Sequence, residues 1–195
     1  MEISTESVKE LRDKTGISIM QCRKALQEAD GDMEKAIVIL QKNSKTIASK
    51  KTGRTLGSGT IGAYIHSNGN VGSMVELGCE TDFVSKNEEF KKIAYDIAMH
   101  VSATNPQFLK TEDISQEMRD KTAEALASEV ADKPEAMRAK IMEGKLAAYF
   151  SEQVLLDQPF IKNQEVTIAG LIEAAVQKFG ERIEIARFAR FSIGS

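Results

Sequence analysis

The chain has 195 residues, 42% of them hydrophobic and 28% charged, with a formal net charge of −3. This composition is typical of a soluble globular protein of one or two domains and excludes a collagen-like, disordered or disulfide-rich chain. We find no signal-peptide pattern and no apolar run near the ~18 residues of a membrane helix, so we expect a cytoplasmic protein that does not bind a membrane. The net charge gives no argument for direct nucleic-acid binding, and we expect none.

Residues 1–50 predict three short helices. Ser4 or Thr5 can cap the first helix, Ser18 the second and Asp32 the third. The apolar residues of each helix recur at three- and four-residue steps, but each stripe is narrow, so the three helices must share one core. Such a bundle is typical of a partner-binding domain and is too small to enclose a catalytic cleft.

Residues 44–56 are polar and show no sustained period, which we interpret as a connection between domains, with 51–56 as the linker itself. The connection is basic, with Lys45, Lys50, Lys51 and Arg54. These side chains could contact an acidic partner or RNA, although a solvated linker is the simpler interpretation. The second domain then spans 57–195.

The second domain predicts an α+β fold. Alternating residues at 61–65 and 71–79, joined by Asn68-Gly69, indicate an antiparallel β-hairpin. Helical periodicity returns from about Asp82 and stops at Asn105-Pro106. Further helices are predicted at 115–131, 134–149 and 167–179, with a final strand at 183–193. One hairpin, several helices and a returning strand predict a small antiparallel sheet packed by helices.

Three glycines, Gly57, Gly59 and Gly62, match the G-x-G-x-x-G pattern of dinucleotide sites. In such a site the glycines follow a strand and open a helix, whose N-terminal amides meet the pyrophosphate. Here a connection precedes the glycines and a strand follows them. The sequence therefore does not support a nucleotide cofactor.

The two histidines and two cysteines do not form a reactive or metal-binding set. His66 and His100 lie at no ligand spacing from a cysteine, and no C-x-x-C or H-E-x-x-H motif is present. Cys22 and Cys79 have no strongly cationic neighbours, so we interpret them as small core residues. We expect no metal, no cofactor and no enzymatic activity.

The segment Thr81–Val84 joins the hairpin to the long helix. Thr81 is a plausible N-cap, and Asp82 in the first turn suits the helix dipole. If the helix already includes Phe83, this residue lies seven positions before Phe90 and faces the core. If the helix begins at Ser85 with a capping box, Phe83 can project from the turn. Periodicity alone favours a buried Phe83.

At this segment the sequence resembles a known family. Thr81-Asp82-Phe83-Val84, after a Val-Glu strand, resembles the signature of the elongation factor Ts family. Residues 8–16, 20–26 and 31–36 resemble the three-helix domain of this family, which is similar to ubiquitin-associated domains, and residues 97–101, 158–160 and 187–191 resemble its later segments. The resemblance covers nearly the whole chain, in order.

The resemblance implies a guanine-nucleotide exchange factor for the translational GTPase elongation factor Tu, acting by binding. It implies that the N-terminal bundle docks on the nucleotide domain of the GTPase. Thr81, Asp82, Phe83 and Val84 would enter near the Mg²⁺ and phosphate site, with Phe83 inserted into an apolar pocket, which requires Phe83 to project. His66, at the hairpin tip, is a weaker contact.

The resemblance also implies an oligomeric state. The chain has one core and lacks the helical-hairpin insertion of longer family members, so it resembles the short bacterial form and implies a homodimer. The strand at 183–193 or the hairpin edge is the expected interface.

Two other classes compete with the exchange function. The main alternative is a generic helical-bundle binding module without exchange activity, in which residues 1–50 alone carry full activity. A third class, a thiol-dependent or nucleotide-dependent enzyme, rests only on Cys79 and the glycine run.

Overall fold

The computed structural model describes residues 3–132 and 134–194. The N-terminal helices are α1 (Thr5–Thr15), α2 (Ile19–Glu28) and α3 (Met33–Ser49). The elements that follow are β1 (Ser58–Ile65), β2 (Val71–Cys79), α4 (Asp82–Ser85), α5 (Glu88–Thr104), α6 (Gln116–Val130), α7 (Glu135–Ser151), β3 (Pro159–Phe160), β4 (Asn163–Thr167), α8 (Ile168–Phe179) and β5 (Ile183–Ser192). Short 3-10 turns lie at Thr111–Asp113 and Leu155–Asp157. This combination of helices with a small antiparallel sheet confirms the predicted α+β class.

The three N-terminal helices begin at the predicted caps. The side chains of Ser4, Ser18 and Asp32 each accept a hydrogen bond from the backbone N–H three residues later. Gly16 ends α1 in the left-handed conformation, with φ of 68°. The helices enclose one apolar cluster, formed by Val8, Leu11, Ile17, Cys22, Ala25, Leu26, Ala29, Ala36 and Leu40. The shared core required by the narrow stripes is therefore present.

Helix α3 continues further than the sequence suggests. Residues 44–49, interpreted above as part of a connection, form its last turns. Ser44 is buried, and its hydroxyl donates to the Leu40 carbonyl (3.0 Å) and to Gln177 of α8. Ile47 and Ala48 pack against the core of the second domain. The interpretation of 44–49 as a connection was wrong. The last turns of α3 are buried by contacts with α8 and the second domain's core, which the local sequence does not show.

The main sheet has the strand order β1-β2-β5 and is antiparallel throughout. Strands β1 and β2 form the predicted hairpin, and Gly69 has a φ of 72° in its turn. Helix α5 packs across one face of β1 and β2, and α8 contacts both β5 and α3. The small β3–β4 sheet was not predicted because its strands have only two and five residues.

The glycines of the G-x-G-x-x-G pattern lie on or beside β1 and allow close packing. A Cβ on Gly62 would lie 2.3 Å from the carbonyl carbon and oxygen of Ala94 in α5. A Cβ on Gly59 would lie 2.6 Å from the Leu77 carbonyl oxygen. Glycine is required at both positions because no side chain fits between these backbones.

Helices α6 and α7 were predicted separately, but they pack against each other as a helical hairpin. A small apolar cluster of Ile114, Phe150 and Val154 packs at the C-terminal end of α7. The chain thus contains a helical hairpin of its own, whereas the expectation concerned only the insertion of longer family members. The two helices carry few fully buried residues, which weakens the periodic signal by which a packed pair is recognised in sequence.

His100 of α5 is fully buried and connects α5 to β3. Its Nε2 lies 2.8 Å from the side-chain oxygen of Gln158, and its Nδ1 accepts the backbone N–H of Ile161 (3.3 Å). A ring whose Nδ1 accepts a hydrogen bond is neutral, with its proton on Nε2. Burial lowers the pKa of His100 below its ordinary value.

We expect His100 to make stability depend on pH. Below about pH 6.5 the unfolded chain binds a proton that the folded protein resists, so the free energy of unfolding falls by up to about 1.4 kcal/mol per pH unit. Urea unfolding between pH 7.5 and 5.5 measures this slope. His100→Gln should lose it, whereas His66→Gln, at the other histidine of the chain, should keep it. An equal slope in the His100→Gln variant would assign the effect to other groups.

Candidate functional site

The segment between the hairpin and the long helix forms a single helical turn, α4, followed by a break. Asn87 caps α5 by accepting the N–H of Glu89 (2.8 Å), so α5 begins at Glu88. The alternative in which the helix begins at Ser85 with a capping box is wrong, since Ser85 belongs to α4 and its hydroxyl contacts Ser58 (2.9 Å). The helical phase is therefore interrupted between Phe83 and Phe90.

Phe83 is 82% exposed, whereas its neighbour Val84 is buried in the main core. The periodicity argument for a buried Phe83 is therefore wrong, because it assumed a continuous helix through Asn87. Burial of Val84 and Ser85 attaches the turn to the sheet. An aromatic side chain thus projects into solvent from a turn that is anchored on both sides.

Thr81 occupies the predicted N-cap position, but its side chain does not cap α4. Its hydroxyl instead donates to Oε1 of Glu181 (2.6 Å). The other oxygen of Glu181, Oε2, accepts the backbone N–H groups of Glu80 (3.1 Å) and Thr81 (3.0 Å). The chain entering α4 is therefore held by a carboxylate a hundred residues away.

Asp82 forms an exposed ion pair within the turn. Its Oδ2 lies 2.6 Å from Nζ of Lys86. The hydrogen bond and charge of Lys86 lower the pKa of Asp82, so this carboxylate is ionised at neutral pH. Both side chains are largely solvated, which leaves Asp82 able to meet a polar group on a partner.

Glu80 connects three parts of the chain beside the turn. Its carboxylate accepts two hydrogen bonds from Arg54 (both 3.2 Å) and one from the backbone N–H of Arg182 (2.5 Å). The Arg182 amide, followed by Arg54, lowers the pKa of Glu80. Lys51 also donates to the Gly180 carbonyl (2.6 Å). Two residues of the basic connection are thus engaged within the protein.

The cysteines behave as the sequence predicts. Cys22 and Cys79 are buried and unpaired. Burial raises the pKa of both thiols, and the Sγ of Cys79 donates to the Thr81 carbonyl (3.2 Å). Their interpretation as small core residues is confirmed. Within residues 3–132 and 134–194, no group of three or more His, Cys, Asp or Glu side chains is arranged to hold a metal ion.

His66 is exposed and lies far from α4. Its Nδ1 is 3.0 Å from the hydroxyl of Tyr64. In the β1–β2 register, Ser58 pairs with Cys79 at the end near α4, and Ile65 pairs with Gly72 at the other end. Eight strand residues separate the two ends by roughly 25 Å. The structure therefore does not bring His66 together with Thr81–Val84.

The outer face of the main sheet, opposite α5, carries exposed apolar residues and one ion pair, between Glu76 and Arg187 (2.6 Å). Its apolar residues are Ile61, Ala63 and Ile65 on β1, Met74 on β2, Ala189 and Phe191 on β5, and Ile193 beyond it. Ile65 and Phe191 flank Gly72 in register and are 74% and 67% exposed. The alternation of β1 signalled these residues, but the sequence alone could not show which face α5 covers.

The N-terminal bundle also exposes apolar side chains. Met20 is 83% exposed, and its neighbour Ile19 and Val38 of α3 are more than half exposed.

Among the described residues, no helix is long and apolar enough to cross a membrane.

Comparison with known proteins gives a consistent result. The family model described as Elongation factor TS matches residues 20–195. The chain is 49% identical over 195 residues to the elongation factor Ts of Thermodesulfovibrio yellowstonii, covering 100% of this chain and 98% of the relative. It is 46% identical over 194 residues to that of Carboxydothermus hydrogenoformans (98% and 89%) and 44% identical over 194 residues to that of Thermotoga maritima (100% and 98%). The chain therefore belongs to the elongation factor Ts family.

Proposed function

We propose that this protein is a guanine-nucleotide exchange factor that binds elongation factor Tu·GDP and promotes GDP release during translation elongation. The observation that carries the proposal is Phe83, an 82% exposed aromatic side chain on an anchored turn. An exposed phenylalanine gains about 1.5–3 kcal/mol when fully buried, which is enough for a dominant contact in an interface. A role in translation places the protein in the cytoplasm.

Phe83 inserts into an apolar pocket near the Mg²⁺ and phosphate site of the GTPase. Thr81 and the buried Val84 hold the turn, and the ionised Asp82 meets a polar group of the partner. Insertion displaces the elements that hold Mg²⁺. This ion is the largest positive charge in contact with the diphosphate. Loss of that charge weakens GDP binding.

The exchange rests on reciprocal coupling. If this protein weakens GDP binding by a given factor, GDP weakens the binding of this protein by the same factor. The protein forms no covalent bond with its partner, so it is not an enzyme in the catalytic sense. It stabilises the nucleotide-free GTPase, which abundant GTP then refills.

The N-terminal bundle docks on the nucleotide domain of the GTPase and adds affinity. Met20 and Ile19 offer the apolar contact there, because they project from the bundle without a partner in its core. His66 is a weaker contact. Its position roughly 25 Å from α4 means that it meets a different part of the partner from Phe83.

The protein acts as a homodimer in which the outer sheet faces of two copies cover each other. The strand at 183–193 or the hairpin edge was the expected interface, and the exposed apolar side chains of Phe191 and Ile65 lie on β5 and on the hairpin, on their outer face. Covering Ile65 and Phe191 removes large apolar side chains from water. Two sheets stacked in this way lie about 10 Å apart.

Release of a fluorescent GDP analogue from purified elongation factor Tu tests the exchange function. We expect the full-length protein to accelerate release. We also expect saturating GDP to raise the equilibrium Kd of the protein for the GTPase by the same factor by which the protein raises the Kd of GDP. Binding without acceleration would favour the generic helical-bundle module. If the protein neither binds elongation factor Tu nor accelerates release, the exchange function is contradicted and the generic module, with a different partner, remains.

A further inference from the structure

Glu181 is the residue that ties the entry of α4 to the rest of the protein. It lies between α8 and β5, and its carboxylate accepts three hydrogen bonds, from the Glu80 amide, the Thr81 amide and the Thr81 hydroxyl. Hydrogen bonds to an ionised acceptor are stronger than those between neutral groups. Helix α4 has a single turn and no side-chain cap of its own, and this external acceptor holds the two residues that precede it.

The support of Glu181 is itself held in place. The preceding residue, Gly180, ends α8 in the left-handed conformation, and its carbonyl accepts a hydrogen bond from Lys51 (2.6 Å). The following residue, Arg182, donates its amide to Glu80 (2.5 Å). The carboxylate therefore extends from a fixed segment of backbone, and it can hold the Glu80 and Thr81 groups that donate to it.

We propose that Glu181 is a positioning residue for nucleotide exchange, which holds Thr81 and thereby orients Phe83 for insertion into the partner. This inference rests on the proposed function of Phe83. A preorganised turn does not have to be ordered on binding, so more of the binding energy of Phe83 is available to destabilise the GDP complex. Without Glu181, the amides of Glu80 and Thr81 lose their acceptor and the aromatic side chain of Phe83 samples other orientations.

Two substitutions at Glu181 in the full-length chain test the inference. We expect Glu181→Ala to lower the maximal rate of GDP release about tenfold. Glu181→Gln should remain within about threefold of the wild type, because the amide oxygen can accept both backbone N–H groups and the amide nitrogen can donate to the Thr81 hydroxyl. Asp96→Asn is the matched control. It breaks the 2.6 Å ion pair with Lys162, away from the turn, and should leave the rate unchanged.

Two further readouts separate positioning from a general loss of stability. Amide hydrogen exchange at Glu80 and Thr81 should accelerate in Glu181→Ala, while the amides in the centre of α5 keep their protection. In the Phe83→Ala background, Glu181→Ala should cause no further loss beyond about twofold, since both changes remove the same contribution.

The possible failures are distinguishable. If the wild type accelerates release and Glu181→Ala does so equally, the positioning role is wrong and the exchange function stands. A full additional loss in the Phe83→Ala background, or unchanged exchange of the Glu80 and Thr81 amides, would also overturn the positioning role. If the wild type itself does not accelerate release, the proposed function fails and this inference fails with it.

Discussion

Replacing Phe83 by alanine is expected to slow the release of GDP from elongation factor Tu about 10- to 100-fold relative to the wild-type protein. The range follows from the roughly 1.5–3 kcal/mol that a phenylalanine gains on burial, converted at about 1.4 kcal/mol per factor of ten. The loss should appear in the maximal rate as well as in the half-saturating concentration, since insertion acts on the GDP-bound complex itself. Stopped-flow measurement of a fluorescent GDP analogue over a series of protein concentrations separates the two quantities.

The fold should not suffer from this substitution. Because Phe83 is exposed, the thermal unfolding temperature of the Phe83→Ala variant should match that of the wild type. Tyr149→Ala, which removes another exposed aromatic ring on α7, is the matched control and should release GDP at the wild-type rate. Equal rates for Phe83→Ala and wild type would keep the exchange function but move its mechanism to another surface.

The features that sequence reasoning predicted are those set by neighbouring residues. Ser4, Ser18 and Asp32 cap their helices because the donor is three residues away, and Asn68-Gly69 forms its turn within a few residues. The apolar stripe of α5 was visible for the same reason. Local chemistry thus accounts for most elements of the α+β fold.

The features that sequence reasoning missed depend on distant partners. Ser44 continues α3 beyond the expected connection because it is buried against Gln177 of α8. Glu181 has no local signal, since the groups it accepts from lie a hundred residues earlier. Phe83 was assigned to the core by a period that is broken at Asn87. The family resemblance corrected this assignment, whereas the period itself could not.

A charged residue at Phe191 is expected to convert the proposed homodimer into monomers. The side chain lies on the edge strand β5, at one end of the row that crosses the sheet through Gly72 to Ile65 on β1. In a symmetric dimer each substitution counts twice, so loss of about 3–6 kcal/mol raises the Kd by roughly 10²–10⁴. The buried carboxylate of Phe191→Asp adds a desolvation cost.

Sedimentation at micromolar concentration measures the oligomeric state. It compares a variant on the outer sheet face with a variant on another surface of the protein. We expect wild type and Met137→Asp, a substitution at an exposed residue of α7, to sediment as dimers, and Phe191→Asp as a monomer with unchanged circular dichroism. A dimeric Phe191→Asp would move the interface to the free edge of β1 or β5. A monomeric wild type would contradict the dimer altogether, and the exposed sheet face would then be available to the GTPase or another partner. Because the face exposes large apolar side chains on all three strands, leaving them uncovered in water is the less favourable arrangement, and this is the physical argument for a second copy.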